Sequence, residues 1–271
     1  MPDGCIARAT VRAHELRAKR GMDRNRHRFE QAVTRAAVLL AIIASTARAE
    51  PLFCSESPIT ARAASVGRPS HGALLGGVRL TADAFLRVLP RQAQRCLDWG
   101  TPRLVAAIKR AAHAVARALP DFVPLAVGDL SRARGGPIRP YSRSHQSGRD
   151  ADLAFFQLDR SGKPVAAEEL VRFDSSLSGA TQDGARRLLD VARTWRLVRA
   201  LLADPGIDVR WLFVSEPVRA ALLAEAHREG APQPLLSRAA EVLHQPSDAR
   251  AHDDHLHLRI ACRPDEIHCR D

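Results

Sequence analysis

Aromatic residues are scarce in this chain of 271 residues, and their scarcity limits the partners it can have. They make up 4% of the sequence, with a single Tyr, and no tract of Lys and Arg is interleaved with them. Proteins that bind nucleic acids typically combine basic tracts with aromatic rings on which bases stack. We therefore expect no nucleic-acid partner, although the formal net charge is +11.

Long apolar runs and CxxC pairs are also missing. A membrane-spanning helix needs about 20 apolar residues, whereas the apolar run 36–44 is much shorter. Zinc sites built from cysteines usually contain CxxC pairs, and the sequence has none. Apolar residues amount to 45% of the chain, which is enough for one or two globular domains with a sizeable core.

The first 49 residues have the order of an export signal. They carry more than half of the excess positive charge, with a basic stretch over 24–35, then the apolar run, then Ala47-Arg48-Ala49. This order predicts a signal peptide that is cleaved after Ala49, and it fits a start at Met22 better than one at Met1. A short amphipathic helix docked on the domain is the alternative. We expect a periplasmic protein that keeps no membrane span after cleavage.

Four cysteines remain beyond the predicted cleavage site, namely Cys54, Cys96, Cys262 and Cys269. An even number in an exported chain favours two disulfides. Three pairings are possible. Cys262 with Cys269 would close a short loop, and Cys54 with a C-terminal cysteine would tie the two ends of the chain together.

Apolar periodicity predicts an α+β fold, with one domain whose small, mainly antiparallel sheet is flanked by helices. Residues 50–75 are rich in Ser, Gly and Pro, which predicts an extended arm on the surface. We divide the chain into an extension over 1–49, an arm and start of the domain over 50–100, and a core over 101–271. The predicted helices cover 101–119, 183–202, 216–227 and 235–243, and the predicted strands cover 122–128, 151–157, 209–214 and 255–261.

Two segments concentrate His and Asp. In the second one, His255 and His257 are two residues apart on a predicted strand, so both imidazoles point to one face. In the first, Gly148 allows the chain to turn so that His145 and Asp152 converge. Together with one imidazole from the strand they would form a His₂Asp set, which leaves the fourth tetrahedral position of a catalytic zinc ion open for water. The alternatives are an ordinary loop histidine and an aspartate that caps a turn.

These segments resemble those of a known peptidase family. SHQSGRDADLAFF over 144–156 and HDDHLHLRIACRPDEIHC over 252–269 are similar to the motifs SHQ-x-G-x-D-x-D and H-x-x-H-x-H-V/L-R of the penicillin-insensitive murein endopeptidases. The likeness includes VGDLS over 127–131 and WLFVSEPVRAAL over 211–222, so it extends loosely from Thr101 to Asp271. The family is grouped with the lysostaphin-type and D-Ala-D-Ala peptidases and with the hedgehog domain, which implies a fold of that type.

The resemblance implies one Zn²⁺ per chain, held by His145, Asp152 and His257. It implies that His255 is an active-site histidine that does not bind the metal, and that it moves protons and steadies the oxyanion. Three further residues have possible accessory roles. His252 matches another histidine of the family, Asp150 matches an acid of the motif, and Asp254 stands where related dipeptidases place a carboxylate base.

The implied substrate is the peptide cross-link of peptidoglycan, with D-alanine on the acyl side and a diaminopimelate amine as leaving group. Arginines in the loop before His145 would suit the carboxylates of the stem peptides, and no particular one is singled out. This loop departs from the family pattern, because Ser142 replaces a histidine and Arg139, Tyr141 and Arg143 stand where Gly and Asn are usual. The alternatives to an endopeptidase are a D-Ala-D-Ala carboxypeptidase of the same fold and a noncatalytic domain that binds the cell wall.

Overall fold

A computed structural model describes residues 52–119 and 121–271. The predicted export signal and its cleavage after Ala49 lie outside the described residues. Within them, no helix has both the length and the apolar character needed to cross a membrane.

The structure is α+β, as the sequence predicts, with helices and short strands interspersed along the chain. After a 3₁₀ turn over Leu52–Ser55, the helices are α1 (Pro90–Ala93), α2 (Pro102–Ala118), α3 (Val191–Leu202), α4 (Glu216–Arg228) and α5 (Gln233–Val242). The strands are β1 (Ala64–Arg68), β2 (His71–Leu75), β3 (Val78–Arg79), β4 (Leu86–Val88), β5 (Trp99–Gly100), β6 (Leu125–Val127), β7 (Asp150–Ala154), β8 (Gln157–Leu158), β9 (Pro164–Val165), β10 (Ser178–Ala180), β11 (Arg186–Leu189), β12 (Val209–Phe213), β13 (Leu243–His244) and β14 (His255–Ile260).

Helix α2 begins where the sequence predicts. The Thr101 side chain accepts a hydrogen bond from the Leu104 amide at 3.4 Å, and Pro102 occupies the first helical position. A cap of this kind satisfies an amide that has no partner within the helix, and proline loses nothing there because that position donates no hydrogen bond. One side of the helix, which includes Ile108 and Val115, is buried.

The central sheet has the strand order β13-β12-β14-β7-β6-β4. Its inner pairs are antiparallel, whereas β13 and β4 pair in parallel at the two edges. The smaller sheets β1-β2, β3-β5 and β10-β11-β8-β9 are antiparallel throughout. The prediction of a mainly antiparallel sheet is therefore confirmed.

One face of the central sheet is apolar. Leu243, Leu212, Leu258 and Ala151 face each other across four neighbouring strands, and each is at most 1% exposed. They belong to one buried cluster with residues of the helices, among them Ile108 of α2, Trp195 of α3 and Leu222 of α4. Because side chains alternate between faces along a strand, the residues between them point to the opposite face of the sheet.

Two predicted elements are wrong in part. Residues 64–75 form the β1-β2 hairpin instead of an arm, and Leu74 within it is fully buried. The predicted helix over 183–202 begins only at Val191, because 186–189 pair as strand β11 and Asp190 then caps the helix by accepting a hydrogen bond from the Arg193 amide at 2.9 Å. Leu188 and Leu189 fit both a helical and an extended pattern, and periodicity alone does not separate the two.

Two disulfides are present, as the number of cysteines predicts. Cys54 is bonded to Cys96 and Cys262 to Cys269, so the alternative bridge between Cys54 and the C-terminal cysteines does not form. The C-terminal segment instead reaches the hairpin through main-chain hydrogen bonds, from the Gly67 amide to the His268 carbonyl at 2.8 Å and from the Arg270 amide to the Gly67 carbonyl at 3.0 Å.

Candidate metal centre

The second face of the central sheet is polar. Across it, Phe213, His257 and Asp152 form one row on the adjacent strands β12, β14 and β7. A second row, two residues away along the strands, contains Trp211, Arg259 and Asp150. Side chains that lie directly opposite on neighbouring strands are about 4.5–5.5 Å apart at Cβ, so the register alone brings His257 beside Asp152.

His145 reaches this face from a loop with an unusual backbone. It has a positive φ of 64°, and Gly148 has a φ of 70°. A Cβ at Gly148 would come within 2.6 Å of Leu74 Cδ1, so the buried Leu74 side chain and the positive φ together favour glycine there. The Gly148 carbonyl accepts a hydrogen bond from the Thr101 amide at 2.9 Å, which fixes the loop against the start of α2.

Three imidazoles surround one carboxylate oxygen. Asp152 Oδ1 lies 3.2 Å from His145 Nε2, 3.1 Å from His257 Nδ1 and 3.2 Å from His255 Nε2. His145, Asp152 and His257 are 1%, 7% and 4% exposed, respectively. The potential ligand atoms of these three residues all lie within 4.8 Å of one another.

The chemistry of these groups fits a bound cation. Despite the three nearby nitrogens, Asp152 Oδ1 is buried and has no partner with hydrogen-bond geometry. A buried carboxylate oxygen without a partner is costly. Two imidazole nitrogens and a carboxylate oxygen that converge in this way are the usual protein ligands of a catalytic zinc ion, and such an ion would remove that cost.

A second histidine set overlaps the first. His252, His255 and His257 also place potential ligand atoms within 4.8 Å of one another, but His252 and His255 are only partly buried. This set offers no negative charge, whereas the first one includes a carboxylate. We therefore assign the stronger cation site to the set that contains Asp152.

The charges within the cluster stabilise one another. Burial alone would raise the pKa of Asp152, but His255 and His145 outweigh it and hold that pKa well below its usual range. Burial lowers the pKa of His145, and Asp152 more than compensates, so the net change is upward. The imidazoles and the carboxylate thus favour each other's charged forms.

His255 differs from the other two histidines in its second nitrogen. Its Nδ1 is 2.6 Å from Asp254 Oδ1, which turns Nε2 towards Asp152. Burial lowers the pKa of His255, but Asp152 and Asp254 raise it more strongly, to about 10. Asp254 is thus engaged with His255. Burial raises the pKa of Asp254, but the hydrogen bond with His255 lowers it more strongly, so the pKa of Asp254 lies below its usual value.

Asp150 lies beneath the cluster and connects its parts. It accepts hydrogen bonds from Arg259 Nε at 2.7 Å and Nη2 at 3.1 Å, and from the His145 amide at 3.0 Å. His257 Nε2 faces it at 3.6 Å. Burial would raise the pKa of Asp150, but Arg259 together with His257 holds it well below the usual range, so Asp150 is a carboxylate.

His252 packs against the rings of the site. Its ring centroid lies 5.4 Å from that of His255, 5.6 Å from that of His257 and 5.6 Å from that of Phe213. Burial, together with the neighbouring histidines, lowers the pKa of His252 to about 4, so its ring is neutral at ordinary pH. All seven residues singled out in the sequence therefore lie in one cluster.

The structure adds residues that the sequence did not single out. Asp129 lies two residues after the end of β6, and its carbonyl accepts a hydrogen bond from the Asp152 amide at 3.0 Å. Burial and the charge of Asp152 raise the pKa of Asp129 to about 6. Arg95 binds Asp129 at 3.2 Å and lies 3.9 Å from the centroid of the Tyr141 ring. Asp129 lies within the VGDLS segment, and the likeness of that segment to the family could have drawn attention to it. No motif in the sequence includes Arg95.

Ser142, which replaces a histidine of the family pattern, stabilises its own loop. Its Oγ accepts a hydrogen bond from the Ser144 amide at 3.2 Å and lies 3.4 Å from Ser144 Oγ. Arg139 and Arg143, the other unusual residues of this loop, are exposed.

The sequence is similar to known proteins of one family. A family model described as penicillin-insensitive murein endopeptidase matches residues 65–271. The penicillin-insensitive murein endopeptidase of Escherichia coli O157:H7 (strain EC4115 / EHEC) is 26% identical over 238 residues, which cover 87% of this chain and 81% of that protein. Those of Escherichia coli (strain K12 / DH10B) and Shigella boydii serotype 18 (strain CDC 3083-94 / BS512) are 27% identical over the same shares. The chain belongs to the penicillin-insensitive murein endopeptidase family.

Proposed function

We propose that this protein is a zinc metallopeptidase that hydrolyses the D-alanyl-diaminopimelate cross-links of peptidoglycan. His145, Asp152 and His257 hold the zinc ion, one per chain, and residues 101–271 form the core that carries it. The observation that supports this most strongly is the buried Asp152 Oδ1, which has no hydrogen-bond partner although three imidazole nitrogens lie within 3.2 Å.

When bound, zinc lowers the pKa of a coordinated water to about 7 and polarises the scissile carbonyl. Side chains of the protein transfer the protons. His255 Nε2 faces the cluster, while Nδ1 is held by Asp254 at 2.6 Å, so the protonated imidazole is oriented to donate a proton to the leaving amine. His255 in its protonated form also steadies negative charge on the carbonyl oxygen.

The accessory residues act through these groups. Asp254 orients His255 and supports its positive charge, so we place it behind His255 instead of making it the base. Asp150 fixes the His145 backbone and faces His257 Nε2. His252 is neutral and forms part of the wall beside Phe213 and His255, where it limits the access of water to them.

Export to the periplasm completes the proposal. Residues 1–49 act as the extension and signal peptide, and cleavage after Ala49 leaves the domain in the compartment where peptidoglycan stem peptides occur. The two disulfides within residues 54–269 suit an oxidising compartment.

The product of a muropeptide digest tests the reaction. The zinc-loaded protein is incubated with purified cross-linked muropeptide dimers and with monomers that end in D-Ala-D-Ala, and the products are separated by chromatography. We expect dimers to be converted to monomers. Release of free D-alanine alone would indicate the carboxypeptidase instead, and binding of dimers without any cleavage would indicate a noncatalytic cell-wall domain.

Alanine variants test the assigned roles. His145→Ala and His257→Ala should lose the zinc ion, whereas His255→Ala should keep about one zinc per chain and lose cleavage by a factor of about 10²–10⁴. His227→Ala, at an exposed position in the last turn of α4, is the matched control and should behave like the wild type. Full zinc occupancy in both ligand variants would refute the metal site.

A further inference from the structure

A line of contacts leads away from the candidate metal ligands on the side of β6. It starts at Asp152, whose amide donates to the Asp129 carbonyl at 3.0 Å. Asp129 Oδ2 accepts a hydrogen bond from Arg95 Nη1 at 3.2 Å, and the Arg95 guanidinium lies 3.9 Å from the centroid of the Tyr141 ring. Tyr141 is four residues before His145 in the sequence, so this line joins the segment after α1 to the loop that carries His145.

Arg95 makes few of the hydrogen bonds that a guanidinium can make. Within the described residues, its side-chain partners are Asp129, through one donor, and the face of the Tyr141 ring. By contrast, Arg259 binds Asp150 through two donors, and Arg110 binds Asp204 through two donors. An arginine has five N–H donors in a fixed plane, so Arg95 keeps donors for a further acceptor.

The surroundings of Arg95 leave that acceptor room to approach. The Arg95 side chain is 20% exposed and Tyr141 is 41% exposed, whereas the Asp129 side chain is 10% exposed. Stacking on Tyr141 and the bond to Asp129 restrict the rotamers of Arg95 without saturating it. A restricted guanidinium with spare parallel donors is well suited to bind a carboxylate through two hydrogen bonds.

We propose that Arg95, held by Tyr141 and Asp129, binds a carboxylate of the peptide substrate. This inference rests on the proposed function, which it deepens. In the cross-link, the carbon that bears the leaving nitrogen of diaminopimelate also bears a carboxylate, and this carboxylate is the one nearest to the reacting atoms. Arg95 is the guanidinium that connects to the ligand Asp152 through Asp129, so we assign that carboxylate to it.

Paired substrates test this assignment on the zinc-loaded full chain. One is a cross-linked muropeptide dimer with the free carboxylate, and the other is the same dimer with that carboxylate amidated. For Arg95→Gln we expect KM for the free-carboxylate dimer to rise by about 10- to 100-fold, because a charge-assisted pair is lost. We expect kcat to change by less than about threefold, and KM for the amidated dimer to stay near the wild-type value.

Three further variants separate binding from structure. Arg95→Lys keeps the charge without the planar donors and should raise KM by a smaller factor. Tyr141→Ala removes the ring that restricts Arg95 and should raise KM for the free-carboxylate dimer by less than Arg95→Gln does. Arg160→Gln, which removes an equal charge from an exposed turn, should leave KM unchanged. If Arg95→Gln raises KM equally for both dimers, or if the variant loses its zinc, Arg95 only supports the fold. Either result would overturn the assignment.

Failure of the proposed function gives a different result. If the wild type cleaves neither dimer, binding of the two dimers is compared by titration calorimetry instead. A preference for the free carboxylate that Arg95→Gln removes would uphold the role of Arg95 without the peptidase activity. Equal binding of both dimers by the wild type would overturn it.

Discussion

At the scale of single residues, Asp150 has the most connected side chain of the site. Its two oxygens bind the Arg259 guanidinium and the His145 amide, and one of them faces His257 Nε2. It therefore holds the loop that carries His145, and it lies 3.6 Å from His257 of β14. Carboxylates that orient ligating histidines in this way increase metal affinity although they do not touch the ion.

Substitution of Asp150 should weaken the site without removing a ligand. For Asp150→Asn we expect the zinc dissociation constant to rise by about 10- to 100-fold, because the neutral amide loses its charge pair with Arg259 and cannot accept as well from the His145 amide. Competition with a chromogenic zinc chelator measures this. Asp159→Asn, in an exposed turn, is the control. An unchanged dissociation constant in Asp150→Asn would rule out the orienting role.

The sequence predicted part of the site because part of it depends on short spacings. His255 and His257 lie two residues apart on one strand, and His145 and Asp152 share one segment, so local geometry favoured their convergence. The contributions of Asp129 and Arg95 were not predicted, since they depend on how β6 and the segment after α1 pack beside β7. That arrangement is set by the whole sheet, and no short pattern encodes it.

At the scale of elements, the same distinction explains which helices and strands were predicted. Helix α2 has both a Thr-Pro start signal and regular apolar spacing, and β14 alternates cleanly. Residues 186–189 instead form an inner strand of a small sheet, and its partners β8 and β10 were not recognised in the sequence. The hairpin over 64–75 was missed because its burial comes from the C-terminal segment and the glycine-rich loop, which contact it only in the folded chain.

The contact between α2 and the turn after α3 should stabilise the fold in a pH-dependent manner. Asp204 accepts from Arg110 Nε at 2.7 Å and Nη2 at 2.8 Å. The bond to Arg110 lowers the pKa of Asp204 below its usual value, against the effect of burial. A carboxyl group with a lowered folded-state pKa stabilises the protein above its unfolded-state pKa of about 4, and this contribution is lost as the pH falls through the folded-state value.

We therefore expect Asp204→Asn to lower the free energy of unfolding at pH 7 by about 1 kcal/mol, a modest value because Arg110 is half exposed and water weakens the pair. The difference from the wild type should shrink as the pH falls below the unfolded-state pKa of about 4 and through the lower folded-state value, since the wild-type carboxyl then becomes protonated as well. Urea unfolding of the metal-free proteins at several pH values measures it. Asp208→Asn, which breaks a far more exposed pair with Arg238, should have a smaller effect. A difference independent of pH would contradict the ionic explanation.

At the scale of the whole molecule, one sheet separates two environments. Its apolar face forms the core with the helices, and its polar face carries the histidines and carboxylates. The β1-β2 hairpin and the C-terminal segment are held beside this sheet, and the fully buried Arg149 connects them. Its guanidinium donates to Ser65 in the hairpin, to the Ile260 carbonyl and to Asp271 at the C-terminal end.

The number of cysteines predicted two disulfide bridges. Their pairing follows from the arrangement of the folded chain and was not predictable from the spacing of the cysteines.

The two disulfides should contribute unequally to stability. Cys54 and Cys96 are 42 residues apart, whereas Cys262 and Cys269 are 7 apart. The loss of chain entropy in the unfolded state gives about 4 kcal/mol for the first bridge and about 2.5 kcal/mol for the second. We expect the double variant Cys54→Ser/Cys96→Ser to melt roughly 8–16 °C below the wild type, and Cys262→Ser/Cys269→Ser to melt roughly 5–10 °C below it.

Thermal unfolding of both double variants, followed by circular dichroism at equal zinc saturation, measures this difference. The wild type treated with a reductant is the control for the serine side chains, since it should unfold at or below the lower of the two midpoints. An equal or larger loss in the Cys262→Ser/Cys269→Ser variant would contradict the loop-length argument. It would mean that the short bridge acts chiefly in the folded state, by holding Arg270 and Asp271 in the positions from which they bind Arg149.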